Sequence, residues 1–457
     1  MAFTSPVEAL PVLTKGLDTQ CTENARLRAY ANGTQPGPEM SKKTRASWAK
    51  FQRFARVVFA RLIAESLASR ITPTSVKVNG AEEDDDAAVK VATGKLRRIW
   101  RRSRLDIVLA DAILDMLIVG RSFLIAADAG GQAIITFEDA DHVFAITDPL
   151  DPNRVTAAVK VWRDEVAGRD YARVWTGTAR QDFSRSSNRT SSKALRSTSS
   201  GGWEVLGDEV PADGVPVTML LNRGAVSEFH YVTDLLDRIS LGILNRLVVV
   251  AYQAFKLRYI KGLGLDPDDP NDVKKAEALL DVSPGALLDL GDDAELHEMA
   301  TTDFRPLLEA VTDDIRELAG TTSTPMSALI PDSANQSAEG ARAALDAQIL
   351  KARDRRFRVG PSIEGSLLQC ARIEMGTDFS FDIEVVFADP SLSTPSETTA
   401  AALNAKAIGV PFKTTAVKYL GFTPEEADAM QVQREDESFM ASLAELTPAT
   451  TPAPAAA

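Results

Sequence analysis

The sequence predicts an α+β protein, mainly helical, and three observations carry that expectation. Apolar residues recur at steps of three and four over lengths no strand reaches, from Tyr231 to Lys261 and from Ala338 to Met375. Between Gly131 and Leu221 the pattern changes to short β-branched and aromatic runs broken by turn residues. The composition, 44% hydrophobic and 25% charged over 457 residues, is that of a folded chain with room for about three structural units.

Taken in order, residues 1–40 carry scattered Gly and Pro and read as an extended N-terminal arm. Helix is predicted over Ser41 to Arg70, where Trp48, Phe51, Phe54, Val58 and Leu62 share a face, and Ile71-Thr72-Pro73 ends it. Ser75 to Val78 reads as a short strand, and Glu82 to Asp86 as a solvated acidic loop without calcium-loop spacing. Leu96 to Ala127 reads as a second long helix, basic at its start (Arg97, Arg98, Arg101, Arg102, Arg104) and apolar afterwards. That basic start either meets phosphate or pairs with carboxylates as an ordinary surface turn.

Strands are predicted at Ala133–Phe137, Val155–Trp162, Tyr171–Trp175 and Trp203–Val205, with a hydrophilic, basic-tinted loop over 184–202. The helix Tyr231 to Lys261 closes at Gly262, and Lys256, Arg258 and Lys261 in its last turns suit the helix dipole. Asp266-Pro267-Asp268-Asp269-Pro270 opens a compact acidic segment to about Thr302, followed by a helix over 303–319. A long polar loop, 320–340, separates it from the helix to Met375, which should kink at Gly360-Pro361. Phe379 to Phe387 alternates as a strand. Thr394-Pro395-Ser396-Glu397 and Thr423-Pro424-Glu425-Glu426 are capping boxes opening two terminal helices, and residues 447–457 read as a disordered Pro/Ala/Thr tail.

Several chemistries lack their motifs. Gly94-Lys95 is not preceded by the glycine of a phosphate loop, and no His-Glu-x-x-His, Cys-x-x-Cys or Gly-x-Ser-x-Gly occurs. The three histidines, His142, His230 and His297, are isolated from one another, and the two cysteines, Cys21 and Cys370, cannot form a framework or a zinc cluster. No catalytic residue, metal or cofactor is assigned. The N-terminus has no signal-peptide pattern and no stretch reaches the ~20 apolar residues of a membrane span, so the expectation is a soluble, intracellularly made protein with no membrane partner. A net charge of −13 argues against a general DNA gripper, because phosphate neutralisation needs clustered cations.

Three stretches carry a family likeness. Val215-Pro216-Val217 and Leu221-Asn222-Arg223 lead into Asp234-Leu235-Leu236-Asp237-Arg238-Ile239 and Tyr252-Gln253-Ala254-Phe255. Thr322-Ser323-Thr324-Pro325 leads through Asn335-Gln336-Ser337-Ala338-Glu339-Gly340 to Arg342-Ala343-Ala344. Phe387-Ala388-Asp389-Pro390 precedes the two capping boxes, with Val410-Pro411-Phe412 between them. In that order, over residues 45 to 440, the chain resembles the portal proteins of tailed double-stranded-DNA bacteriophages with long non-contractile tails.

The resemblance implies a portal fold with wing, stem, clip and crown, assembling into a ring, twelve chains in the virion. By position, residues 41–230 and 341–395 would be wing, 231–261 and 303–319 stem helices, 262–302 clip, 320–340 tunnel loop and 396–446 crown. Thr321, Thr322, Ser323, Thr324, Asp332, Ser333, Asn335, Gln336 and Ser337 would line the DNA channel, and Lys256, Arg258 and Lys261 are candidates to face DNA. Asp266, Asp268, Asp269, Asp272, Lys274, Lys275, Asp292 and Asp293 of the clip would dock motor or adaptor. The partners implied are a second copy of the chain, double-stranded DNA, the terminase large subunit, a head–tail adaptor, and the major capsid and scaffolding proteins. The function implied is a non-enzymatic conduit at one capsid vertex that nucleates shell assembly. The role of 184–202 stays open. Two other classes remain: a metal-dependent nucleic-acid enzyme using Asp234 and Asp237, or Asp266 with Asp268, and a capsid or scaffold component without a channel.

Overall fold

The computed structural model describes residues 3–37, 50–79, 86–186, 199, 201–254, 258–261, 295–298, 303–330, 338–376, 379, 381–391, 395–422 and 424–446. The chain divides into two compact units, one of residues 1–34, 58–233 and 319–457, the other of residues 35–57 and 234–318. No described helix is long and apolar enough to cross a membrane.

The first unit begins with a helix. In place of an extended arm, helix α1 spans Pro6–Ala31. Ser5 caps it by accepting the Glu8 backbone N–H at 3.4 Å, and Pro6 takes the first turn, where its missing donor costs nothing. Ala9, Leu10, Leu13, Leu17 and Cys21 then fall on one face, buried against Ala157, Val159 and Val161 of β5 (Val155–Asp164), Ala172 and Val174 of β6 (Arg169–Thr176), and Phe183. Burying Leu13 or Leu17 contributes about 2 kcal/mol each. That face holds the helix despite Pro11 within it.

The helix expected over 41–70 is interrupted. Residues 50–54 are helical, 56–58 are not, and α2 runs Phe59–Ala68. The break falls at the division between the units, and Val57 O there accepts the Gln35 amide at 3.3 Å. β1 (Pro73–Asn79) follows as expected.

The long helix expected over 96–127 is instead three elements: α3 (Asp86–Arg102), α4 (Leu105–Val119) and strand β2 (Arg121–Asp128). Arg104, at φ 51°, turns the chain between the helices, and Ser103 Oγ accepts the Ile135 N–H at 2.9 Å. Gly120, at φ 92°, ends α4, and any Cβ there would sit 2.6 Å from the Ala225 carbonyl oxygen. The apolar run looked helical throughout because α4 is buried and β2 is the central strand of its sheet.

That sheet has the order β3-β2-β9, with β3 Ala133–Glu138 and β9 Val217–Leu221. A five-stranded antiparallel meander, β4-β5-β6-β7-β8, adds β4 Val143–Thr147, β7 Ala179–Ser186 and β8 Glu204–Pro211, so the β-rich region is where the alternation placed it. Most of the 184–202 loop lies outside the described residues, but Ser184 to Ser186 continue β7. Helix α8, Ala338–Met375, has the bounds the periodicity predicts and runs unbroken through Gly360-Pro361. It packs on β2, β3, β9 and β12 (Asp382–Phe387), burying Val359, Ile363, Leu367, Cys370 and Ala371. β12 pairs antiparallel with β1. Helices α9 (Pro395–Ala407) and α11 (Pro424–Leu446) open at the two capping-box prolines, with α10 (Phe412–Lys418) between them. Cys21 and Cys370 are buried thiols not joined in a disulfide, and burial, with Glu374 nearby, pushes the Cys370 thiol up to about 12.

The second unit holds α5 (Thr233–Ala254) and most of α6 (Arg305–Thr322), besides the helical residues 50–54. The turns expected to extend α5 to Lys261 are strand: β10 (Arg258–Lys261) pairs antiparallel with β11 (Glu295–Glu298). The register sets Arg258 opposite Glu298 and Lys261 opposite Glu295. Between β10 and β11, the expected clip lies outside the described residues.

Candidate functional site

In the second unit, α5 and α6 are drawn close by one small residue. A Cβ on Gly242 of α5 would lie 2.7 Å from Val311 Cγ2 of α6, a separation no ordinary side chain permits. Arg238 bridges the same pair from outside, reaching Asp314 at 2.9 Å and also pairing with Glu317. Ile239, Leu244, Val311, Ile315 and Leu318 are buried on the two helices. Leu241 and Val250 of α5 stay exposed.

In the first unit, the turn after α6 is locked rather than loose. Thr321 and Thr322 lie in the last turn of α6, not in the polar loop where they were expected. Ser323 adopts φ 53°, and Thr324 is buried, its N–H bonded to Ala319 O at 3.0 Å. The Thr322 hydroxyl donates to Thr324 Oγ1 at 2.9 Å. A short helix, α7 (Met326–Leu329), follows.

The anchor for this turn comes from a face of α8. Lys351 Nζ donates to the Thr322 carbonyl at 2.6 Å and pairs with Glu228 Oε1 at 2.5 Å. Arg355, one turn on, pairs with Glu228 at 3.2 Å, and Asn222 donates to the same carboxylate at 3.1 Å. Glu228 and Arg355 side chains are 3% and 8% exposed. Burial alone would push the Glu228 carboxyl up, but Lys351 and Arg355 outweigh it and hold it below the ordinary glutamate range. The site therefore sets Lys351 and Arg355 on the buried Glu228 carboxylate, with Asp354 pairing Arg355 from the outer side, and its geometry suits holding a turn in place.

A second bonded cluster pins α1. Arg28 NH1 meets Asp115 at 2.5 Å and Arg28 Nε meets Asp141 at 2.8 Å, while Asn24 donates to Ala140 O at 3.0 Å. His142 Nδ1 sits 2.6 Å from Asp139, whose carboxylate raises the imidazole above its ordinary value. Neither cluster was singled out from the sequence. The partners lie about a hundred residues apart, and only the steps of three and four from Ala9 to Cys21 could have shown α1 itself.

The remaining expected site residues fall apart in a definite way. Arg258 and Lys261 are on a strand, so the helix-dipole argument for them does not hold, and Lys256 lies outside the described residues. So do Asp332, Ser333, Asn335, Gln336 and Ser337, and all eight clip residues, Asp266, Asp268, Asp269, Asp272, Lys274, Lys275, Asp292 and Asp293. Asp234 and Asp237 are exposed, one turn apart on α5. The described residues hold no group of three His, Cys, Asp or Glu placed to bind a metal. The basic cluster expected to open a helix instead ends α3 and the turn after it: Arg102 pairs with Glu374, and Arg98 and Arg104 are exposed.

The motif Phe387-Ala388-Asp389-Pro390 lies at one wall of a cleft of about 1110 Å³. Ala388 N–H bonds to Thr72 O at 2.9 Å, and Pro390 O accepts Arg70 NH1 at 2.8 Å. Arg356 NH2 donates to Arg70 O at 2.6 Å and its guanidinium stacks over Phe387 at 5.5 Å. Burial pulls the Arg356 guanidinium down to about 10, with Asp389 opposing and Arg353 adding to the effect.

Comparison with known proteins then supplies a family. A family model described as "Phage portal protein, SPP1 Gp6-like" matches residues 16–439. No curated protein matches the chain. Among solved structures, it is similar to a chain in the virion of the native gene transfer agent particle, at 14% identity, covering 83% of this chain and 92% of that one, with TM-score 0.39. It is also similar to chains in the neck of the empty particle (14%, 87% and 99%, TM-score 0.40) and of the native particle computed with C12 symmetry (14%, 83% and 93%, TM-score 0.41). The family match covers most of the 457 residues, and the chain belongs to the SPP1 Gp6-like family of phage portal proteins.

Proposed function

We propose that the protein is the portal of a tailed-phage-type particle: a ring of identical chains, twelve in the virion, that sits at one capsid vertex and passes double-stranded DNA. The family match over residues 16–439 is the observation that carries this reading. In it the closely packed pair α5 and α6 forms the stem, residues 262–302 the clip that docks the terminase large subunit and later the head–tail adaptor, and the helices after Thr394 the crown. The ring nucleates procapsid assembly with the major capsid and scaffolding proteins, and hydrolyses nothing.

Physical features support it. DNA must slide, so a wall of net negative charge that offers phosphate few lasting partners is an advantage, and each chain carries −13. No Lys or Arg occurs between Gly320 and Gly340. The Lys351–Glu228–Arg355 anchor holds the Thr322 turn in place. Exposed Leu241 and Val250 suit side-by-side packing of stem helices in a closed ring.

The test is DNA packaging with Asn335→Trp/Gln336→Trp chains. Rings should still form while packaged DNA falls at least about tenfold; normal yield would overturn the tunnel-loop assignment. Purified protein with magnesium should leave linear DNA intact. Cleavage that disappears on Asp234→Asn/Asp237→Asn would replace the conduit with the enzyme reading.

A further inference from the structure

The cleft of about 1110 Å³ has a charge imbalance that nothing above uses. Its walls come from α8, the end of β12 and α10, and its floor is apolar, with Phe387, Val417 and Phe422. Five cations line it, and Asp389 is the one carboxylate among the described lining residues. Lys413 pairs with Asp428 at 2.5 Å, and Lys77 stands opposite Glu384 across the β1–β12 ladder. Arg353, Arg356 and Lys418 have no carboxylate partner among the described residues. Beside Arg353 on the same face of α8, at i−3 and i+4, Leu350 and Phe357 are 64% and 82% exposed. A large aromatic left that bare beside unmatched cations is the anatomy of an interface awaiting its partner.

The complementary surface is on the same chain but out of its own reach. Residues 431–438 of α11 are exposed, with Arg434 turned back over Phe412 of α10. They present Val432 and the triple Glu435-Asp436-Glu437, none of which lines the cleft. Asp428 already touches the cleft's lip through Lys413, and the triple lies about 12 Å farther along the helix axis. We infer that α11 of one protomer docks its Val432, Glu435 and Asp436 face, with Glu437 at the rim, into the Arg353–Lys418 cleft of the neighbouring protomer. Two different surfaces of one chain then meet head to tail, the kind of contact that closes into a ring. Charge complementarity chooses the second copy as occupant. The apolar residues choose it over a phosphate backbone, which has nothing to cover Leu350 and Phe357.

This inference rests on the ring reading above, and the experiment separates the two. Ring formation is followed by solution mass against protein concentration for four chains: the natural one, Arg353→Glu/Lys418→Glu, Glu435→Lys/Asp436→Lys/Glu437→Lys, and the chain carrying all five changes. All substituted residues are exposed, and circular dichroism of each chain checks folding. Each partial reversal sets like charges face to face and should raise the concentration needed for assembly about tenfold or more. The five-change chain restores opposite charges and should return to within about twofold of the natural one. Natural chains that never form rings overturn the ring reading and this contact with it. Natural rings with unaffected partial reversals overturn the contact alone. So do partial reversals that fail without rescue in the five-change chain, or that lose DNA binding while still forming rings.

Discussion

Two sets of cations on one stretch of α8 have opposite fates. Lys351 and Arg355, one turn apart, are buried against Glu228 and hold the turn that follows α6. Arg353 and Arg356, interleaved with them on another face, look into an open cleft where no carboxylate pairs with them among the described residues. The same residue types at neighbouring positions thus do different work. Where a carboxylate is buried with them, the charges are internal structure, and removing one partner strands the others away from water. Where none is, the charge is surplus, and its use lies outside the single chain.

The sharpest way to break that contrast is Glu228→Gln. Lys351 would then lose its carboxylate and Arg355 would keep only the half-exposed Asp354, so the loss should be about 3 kcal/mol, read as a lowered denaturant midpoint of the first unit. Adding Lys351→Met should recover part of it, and an unchanged midpoint would mean that the anchor is ornamental. The pH dependence has a definite sign. The Glu228 carboxyl is held down in the folded chain, so its stabilisation is complete above the ordinary glutamate range near 4.3 and is lost as pH falls through the lower folded value. Acid titration of the natural chain should show a loss that the Glu228→Gln chain lacks.

Next in size is Asp115→Asn, which takes the buried charge from Arg28, whose side chain is 25% exposed. A cost of about 3 kcal/mol should appear as faster proteolysis within α1. Protection of α1 equal to the natural chain would show that its apolar face suffices. Gly242→Leu should cost about 2 kcal/mol by forcing α5 and α6 apart, with Val311→Ala giving partial relief. The smallest effect belongs to His142, whose pair with Asp139 is partly exposed. Its raised value means that its contribution is present below about pH 6.5 and fades as pH rises through the folded value. His142→Gln should change stability by less than about 1 kcal/mol, with the difference vanishing in mildly alkaline buffer.

These contrasts also show what was legible in the sequence. Helix α8 could be read to its ends because an apolar stripe runs between polar flanks, and the β-rich region because alternation and turns mark short strands. The fused 96–127 helix shows the limit: a largely buried helix and a central strand are both rich in apolar residues, and Gly120 was the local sign of their boundary. At α1, scattered Gly and Pro hid the Ser5-Pro6 start and the step from Leu10 through Leu13 to Leu17. Strand β10 was read as helix because its partner, Glu295–Glu298, is some forty residues away. The Glu228 anchor and the open cleft depend on residues more than a hundred positions apart, which periodicity does not connect. The family order of motifs, by contrast, was legible over most of the chain, and the match over 16–439 agrees with it.

The central claim is that identical chains close into a channel. Single-particle imaging of the purified protein, with its solution mass, tests it most directly. The account predicts a hollow ring of roughly 590 kDa, twelve chains of 49.3 kDa each. A compact particle of one or two chains, unchanged on adding scaffolding protein, would contradict it.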